Sequence, residues 1–135
     1  MSIDKVEYWL DVAQYDLDTA EAMYSTQRWL YVGFMCHQVI EKTLKAYWCK
    51  AMPNDPPYVH DHVRLVDGCG LYSKLSDVQK RFIALMRTMN IEARYPEHKQ
   101  RLAQTLTKDA CRSMIDETKQ MQLWIKEQLL LVNKH

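Results

Sequence analysis

The most informative stretch of this sequence reads HQVIEKTLKA, from His37 to Ala46. It lies inside a longer segment, 29–51, whose apolar residues recur at the spacing of an amphipathic α-helix. The apolar face of this helix is formed by Leu30, Phe34, Ile40, Leu44, Tyr47 and Trp48. Successive residues are rotated by about 100°, which places His37 and Glu41 within that same face. The segment therefore predicts a buried helix that carries an imidazole and a carboxylate among its apolar residues.

The pair formed by His37 and Glu41 has two interpretations. One helical turn separates the residues, so they can contact each other and limit the cost of leaving water. Either they are a structural pair or interface contact, or they orient another polar group at a functional site. Lys42 and Lys45 flank the apolar face and are expected to be solvated, with Glu41 and Lys45 in the favourable order for an ion pair. The sequence leaves both interpretations open.

The other long segments show the same helical spacing, and only three glycines occur in 135 residues. Capping residues predict where helices begin, namely Asp4 with Glu7, Asp61, Ser76 with Gln79, and Thr107. The predicted helices cover 5–24, 29–51, 63–71, 77–90 and the region after 107, with an irregular segment at 91–106. Short links favour antiparallel neighbours. We therefore expect an all-α fold in one domain, 1–135: an antiparallel up-and-down bundle of four long helices plus a short helix.

The composition argues against several classes of protein. Basic residues number 18 and acidic residues 17, so no strong overall charge marks a nucleic-acid or membrane-surface binder. The four cysteines form no CxxC pair, which argues against a zinc ribbon or a redox centre and favours reduced thiols. The first eight residues carry charges where a signal peptide needs an apolar run, and no stretch approaches about 18 apolar residues. We expect a cytoplasmic protein with no metal, no cofactor and no membrane segment.

The stretch from His37 to Ala46 is similar to the HQAxEKxLKA signature of HEPN domains. Three further pieces occur in the order typical of that family. They are Ala13, Asp16, Leu17 and Ala20; His60 and Asp61 with Leu65; and Ala93, Arg94, Tyr95 and Pro96. One departure is His62, because the family usually has leucine after the His-Asp pair. The resemblance covers most of the chain and implies the HEPN fold and an association with nucleotides or RNA.

HEPN domains that cleave RNA resemble one another in an Arg followed, after four to six residues, by a His, usually where two subunits meet. Cleavage through the 2′-hydroxyl of RNA needs a group that handles protons near neutral pH and a cation for the charge on the phosphate. Histidine and arginine supply these functions. Here Arg94 and His98 are separated by three residues, one fewer than the motif, and Pro96 is expected to interrupt a helix between them. They are the candidate catalytic residues of a metal-independent ribonuclease at a dimer cleft.

Two other interpretations of this segment involve no catalysis. In one, Arg94 caps helix carbonyls or pairs with a carboxylate such as Glu41, while His98 is solvated. In the other, a tyrosine stacks on a base and three cations hold the phosphates of a nucleotide or RNA. The residues of this second site are Arg94, Tyr95, Lys99 and Arg101.

His60, Asp61 and His62 follow one another just before the third predicted helix. Two histidines this close are a possible metal-ligand pattern, but no second ligand pair lies at a spacing that would complete a tetrahedral site. Asp61 is expected to cap the helix. With His37, Glu41 and Lys45, His60 and Asp61 are therefore candidates for a structural or site-supporting role.

The resemblance implies a partner as well as a fold. Small HEPN proteins of this kind are paired with minimal nucleotidyltransferases, and this chain has no glycine-serine element followed by paired aspartates that would make it such an enzyme itself. We expect a homodimer that acts with a minimal nucleotidyltransferase in a toxin–antitoxin-like pair and associates with nucleotide or RNA. A metal-independent ribonuclease that uses Arg94 and His98 is the first alternative. A non-catalytic nucleotide-binding dimer is the second.

Overall fold

The computed structural model describes residues 4–91 and 95–132 of the chain. This part of the chain contains six α-helices, a short 3-10 helix at Tyr72–Lys74 and no β-strand. The α-helices are α1 (Lys5–Ser25), α2 (Trp29–Ala51), α3 (His62–Gly68), α4 (Asp77–Arg87), α5 (Pro96–Thr105) and α6 (Lys108–Leu131). The prediction of an all-α fold is confirmed, and the bundle contains one helix, α5, beyond the predicted set.

Four helices begin at residues whose side chains cap them, and one of these is α3, where Asp61 accepts a hydrogen bond from the backbone N–H of Val63. Asp4 accepts a hydrogen bond from the backbone N–H of Glu7, and Thr107 accepts one from the third residue after it. At the start of α4, Ser76 and Gln79 each accept a hydrogen bond from the backbone N–H of the other, which completes a capping box. Local sequence therefore determines these helix starts, as predicted.

The prediction of an irregular connection at 91–106 is wrong, because residues 96–105 of it form the helix α5. Pro96 is the first residue of this helix, and Tyr95 before it is extended, with ψ of 157°. At the first helical position the missing N–H of proline would have no partner inside the helix, and its fixed φ suits the helix. Leu102 is buried and attaches α5 to the core. Pro96 thus begins a helix and does not interrupt one.

The third and fourth helices end earlier than predicted. α3 closes at Gly68, and the chain turns through Gly70, whose φ of +82° lies in the left-handed region that glycine adopts without strain. α4 ends at Arg87. These turns bring α3 and α4 against α2, so that their buried side chains contribute to the same core.

The helix α2 lies at the centre of the bundle and contributes more buried residues than any other described helix. α1 and α6 both pack against it. Its last turn is fixed by Trp48, which donates a hydrogen bond to the carbonyl of Asn54 at 3.0 Å. A Cβ on Gly68 of α3 would lie 2.6 Å from the Trp48 ring, so the indole packs where only glycine leaves space. The signature stretch is therefore surrounded by protein on most sides.

The helices α1 and α2 are antiparallel. Three residues, 26–28, link them, and the rings of Tyr24 and Trp29 meet edge-to-face across the link. At the opposite end, Lys5 in the first turn of α1 pairs with Asp55, which follows α2. None of the helices in the described ranges is long and apolar enough to span a bilayer.

Candidate functional site

The carboxylate of Glu41 is wholly buried on α2 and accepts three hydrogen bonds. Its Oε2 accepts from Nζ of Lys42 at 3.1 Å and from Nζ of Lys45 at 3.0 Å. Its Oε1 accepts from Nδ1 of His60 at 2.7 Å. Burial by itself raises the pKa of Glu41, but Lys42, His60 and Lys45 together outweigh it and lower the pKa to about 2. The carboxylate is therefore ionised at neutral pH.

The expectation that Lys42 and Lys45 are solvated is wrong. The side chain of Lys45 is 7% exposed and that of Lys42 is 19% exposed. Both ammonium groups lie over the ring of Trp9 from α1, with Nζ at 5.8 Å from its centroid for Lys42 and 5.3 Å for Lys45. A helix projection of α2 alone does not show this, because the covering ring belongs to another helix. The lysines lie between an aromatic face and the carboxylate of Glu41, both of which stabilise a cation.

His37 and His62 form a buried pair beside this carboxylate, with ring centroids 4.3 Å apart. Nδ1 of His37 is 3.0 Å from the carbonyl of Met86, so it carries the proton and donates. Nε2 of His62 likewise donates to the carbonyl of His37, at 2.9 Å. The other nitrogen of each ring is buried without a hydrogen-bond partner, and Nε2 of His37 lies 3.8 Å from Oε1 of Glu41. These six residues, His37, Glu41, Lys42, Lys45, His60 and His62, are called the Glu41 cluster below.

Both histidines of this pair favour the neutral form. Burial lowers the pKa of His37, against a smaller opposing effect of its hydrogen bond to Met86. Burial also lowers the pKa of His62 to about 3, with His37 adding to the shift. At His62 the family's usual leucine is replaced by an imidazole that is still wholly buried. The polar ring is accommodated because one nitrogen reaches a backbone carbonyl.

His60 and Asp61 are adjacent in sequence but form hydrogen bonds with different residues. The side chain of His60 is 63% exposed and reaches inward to Glu41. Asp61 caps α3 by accepting from the backbone N–H of Val63, and it also accepts from Nη2 of Arg87 at 2.8 Å. Within residues 4–91 and 95–132, no three His, Cys, Asp or Glu side chains converge as metal ligands would.

His98 lies on α5 and takes no part in the hydrogen bonds of the Glu41 cluster. Arg94, a candidate for catalysis and for phosphate binding, lies outside the described residues. His98 is in the first turn of α5 and is partly buried, with Nε2 at 3.3 Å from the carbonyl of Thr88. The side chain of Tyr95 is largely exposed just before the helix. Lys99 is partly buried and Arg101 is exposed, both on α5.

Some contributors to the Glu41 cluster carry no signal in the sequence. The carbonyl of Met86 reaches His37 only because α4 packs against α2. Trp9 belongs to the apolar stripe of α1, and nothing in its spacing indicates two lysines on its face. The HQAxEKxLKA-like run does point to the polar members on α2, and the His-Asp pair points to His60. Sequence motifs therefore identify the polar groups and miss the groups that enclose them.

One protein-family model matches nearly the whole length of the chain. The model of the HEPN domain matches residues 6–128. The match extends from α1 to the last turn of α6 and includes both the Glu41 cluster and the segment around His98. No curated protein and no solved structure matches the chain significantly.

Proposed function

The chain belongs to the HEPN family, and on that premise we propose that it acts as a homodimer with a minimal nucleotidyltransferase. In this proposal the chain is the half of a toxin–antitoxin-like pair that associates with nucleotide or RNA. The observation that carries the proposal is the family match over 6–128, which covers all or most of every described helix. The sequence has no glycine-serine element followed by paired aspartates. Nucleotidyl transfer would therefore need a second chain to supply the metal-binding carboxylates.

The partnership is tested by co-expressing the chain with the minimal nucleotidyltransferase encoded beside its gene. We expect the two proteins to co-purify and to elute together in size-exclusion chromatography, in a complex that contains two copies of this chain. Light scattering gives the mass of the chain alone and of the complex. Absence of such a neighbouring gene, or separate elution of the two proteins at micromolar concentration, would contradict the proposal.

A metal-independent ribonuclease is the second candidate, and the position of His98 favours it. Because α5 begins at Pro96, His98 lies in the first turn of a helix, which fixes its position. When Nε2–H donates to the carbonyl of Thr88, Nδ1 carries the lone pair that a general base needs. In this reaction His98 takes the proton from the 2′-hydroxyl as its oxygen attacks phosphorus. Arg94 stabilises the charge on the phosphate. The P–O5′ bond breaks to leave a 2′,3′-cyclic phosphate, and a water molecule gives the departing 5′-oxygen its proton.

The ribonuclease candidate predicts cleavage of RNA in the presence of EDTA. Replacing His98 by alanine removes the base, and replacing Arg94 by alanine removes the cation, so each change is expected to reduce the rate about 100-fold or more. Glu127→Ala, on the exposed surface of α6, is the control and is expected to keep full activity. Gel assays with several single-stranded RNAs measure the rates. Equal rates for His98→Ala and Glu127→Ala would rule out this role for His98.

Nucleotide binding without turnover is the remaining alternative. It assigns Arg94, Tyr95, Lys99 and Arg101 to a nucleotide or RNA site. The exposure of Tyr95 and Arg101 supports this assignment, because both side chains are open to a ligand. Calorimetry with ATP and GTP tests it. A cytoplasmic location stays a prediction.

A further inference from the structure

An open groove runs between α4 and α6 and is called the α4–α6 groove below. It contains two hollows, of about 240 Å³ and about 340 Å³, and Glu117 lines both of them. Val78 and Met121 line the first hollow, whereas Leu85 and Met114 line the second. Residue numbers therefore rise along α4 as they fall along α6. The two helices are antiparallel along the groove, and Glu117 lies at its middle.

The floor of the α4–α6 groove is apolar, and its rim leaves apolar side chains open to solvent. Phe82, Met89 and Met114 are buried at the floor. On the rim, Val78 is 67% exposed and Leu85 is 46% exposed. These two residues lie about two helical turns apart and share one face of α4. Another chain that covered this face would remove exposed apolar area from water, which favours association.

The exposed face of α4 carries a cation between its two apolar residues, and α6 carries an anion in the matching place. Arg81 is exposed and lies on α4 three residues after Val78 and four before Leu85. Glu117 is exposed and has the same spacing from the two methionines that line the groove on α6. In residues 4–91 and 95–132, neither of these charged groups has an ion-pair partner within the chain. Both charges are therefore open to another molecule.

A second copy of the chain supplies the complement of this surface. When its α4 lies along α6 of the first copy in the antiparallel direction, its Arg81 comes level with Glu117 of the first copy. Its Val78 and Leu85 then come level with the apolar side chains of α6 on either side. A two-fold axis parallel to these helices makes the same contacts a second time, because each copy has both the cation and the anion. The face is therefore self-complementary, as the interface of a symmetric dimer must be.

Other occupants and other surfaces match these features less completely. A different protein would have to present an acid to Arg81 and a base to Glu117, with apolar side chains spaced to reach both hollows. The second copy meets these conditions with residues that the chain already has. Leu130 and Leu131, near the end of α6, also expose apolar area, but they lie outside both hollows. The groove therefore combines shape, apolar area and charge in one face.

We propose that the α4–α6 groove is the interface of a homodimer, in which Arg81 of each copy pairs with Glu117 of the other. The inference rests on the homodimer of the proposed function and adds which face forms it. Association through this face needs no nucleotidyltransferase, so the purified chain alone is sufficient for the test.

The test is a charge exchange, with the dissociation constant of the dimer measured by sedimentation equilibrium of the full chain. Arg81→Glu and Glu117→Arg each place like charges opposite one another, so each is expected to weaken association at least about tenfold. The double variant with both changes restores the pair in reverse, and its dissociation constant should return to within about threefold of that of the parent. Glu127→Arg, the same change at an exposed acid of α6 outside the groove, is the matched control and should associate like the parent.

A second pair of variants tests the apolar part of the interface. Leu85→Asp should be monomeric at concentrations where the parent is a dimer, because it would bring a carboxylate into an apolar hollow. Leu130→Asp, a matched change at an exposed leucine outside both hollows, should remain dimeric. Thermal unfolding followed by circular dichroism shows that each variant is folded, as expected for changes at exposed positions.

The outcomes distinguish this face from the homodimer itself. Dimers that persist in Leu85→Asp and in both single charge reversals would overturn the proposed face and leave the homodimer standing. Failure of the double charge exchange to restore association in a folded chain would also overturn it. A parent chain that is monomeric would overturn the face together with the homodimer, whereas the nucleotidyltransferase partnership is decided separately by co-purification.

Discussion

Replacing Glu41 by alanine is expected to reduce the free energy of unfolding by about 3–5 kcal/mol, which is the usual cost of leaving buried charges without their partner. The change removes the carboxylate partner of the buried ammonium group of Lys45, which lies over Trp9, and one partner of Lys42. His60 also loses the acceptor that holds it against α2. For a chain of 135 residues this corresponds to a fall in Tm of roughly 10–20 °C. Thermal and urea unfolding followed by circular dichroism measure both quantities.

Glu21→Ala is the matched control for this prediction. Glu21 on α1 also contacts two cations, Arg112 and Lys119, but its side chain is 36% exposed. Glu21 accepts two hydrogen bonds from Arg112, but solvent screens a partly exposed pair, so this variant should lose less stability than Glu41→Ala. Glu41→Gln, which keeps an acceptor for His60, is expected to lie between Glu41→Ala and the parent. Similar losses for Glu41→Ala and Glu21→Ala would show that the buried network contributes no more than a surface pair.

Acidification is expected to destabilise the fold from about pH 6.5 downward, well before most carboxylates titrate. The unfolded chain protonates His62 near pH 6.5, whereas in the fold the pKa of His62 is about 3, so its contribution to stability is full above pH 6.5 and is lost as pH falls toward 3. His37 has a lowered pKa and acts in the same direction. Glu41 adds a second phase, since its contribution is full above about pH 4.5 and is lost as pH falls toward 2. Each group that is protonated only in the unfolded chain adds about 1.4 kcal/mol per pH unit to the slope.

The variant His62→Leu separates the histidines from general acid denaturation. Leucine removes the titrating ring and fills a similar apolar space. The charged or titratable groups that act on His62 are His37, Glu41 and Arg87, and those that act on His37 are Glu41, His60 and Lys42. Between pH 6 and pH 4 the slope of stability against pH should fall by up to about 1.4 kcal/mol per pH unit, with the carboxylate phase kept. Urea unfolding at a series of pH values gives these slopes. An unchanged slope in His62→Leu would contradict the assignment.

The Glu41 cluster explains in physical terms why the HEPN-like run identifies a fold more directly than a reaction. Its contacts join α1 through Trp9, α3 through His62, α4 through Met86 and the loop before α3 through His60. A polar network of this kind is costly when it is incomplete, so it specifies how the helices are arranged. The chemistry proposed for RNA is assigned to other residues, on and before α5.

Local sequence determined much of this protein. Apolar spacing places α2 at 29–51, because helical periodicity is a local property. Four helices begin at side-chain caps that also act within a few residues, namely Asp4, Asp61, Ser76 and Thr107. Proximity of His37 and Glu41 also follows from one helical turn. The polar groups of α2 were therefore open to prediction from the chain alone.

The tertiary structure decided the environment of those groups, because burial depends on which distant segments pack together. Lys45 is enclosed only because Trp9 of α1 covers it, and the neutral state of His62 results from the core that forms around it. Pro96 suits the first position of α5 locally, but the attachment of this helix to the core through Leu102 is a contact that no local propensity contains. Local periodicity determines which residues of the HQVIEKTLKA stretch share the apolar face of α2. Contacts between residues far apart in the chain determine their charge states and their partners.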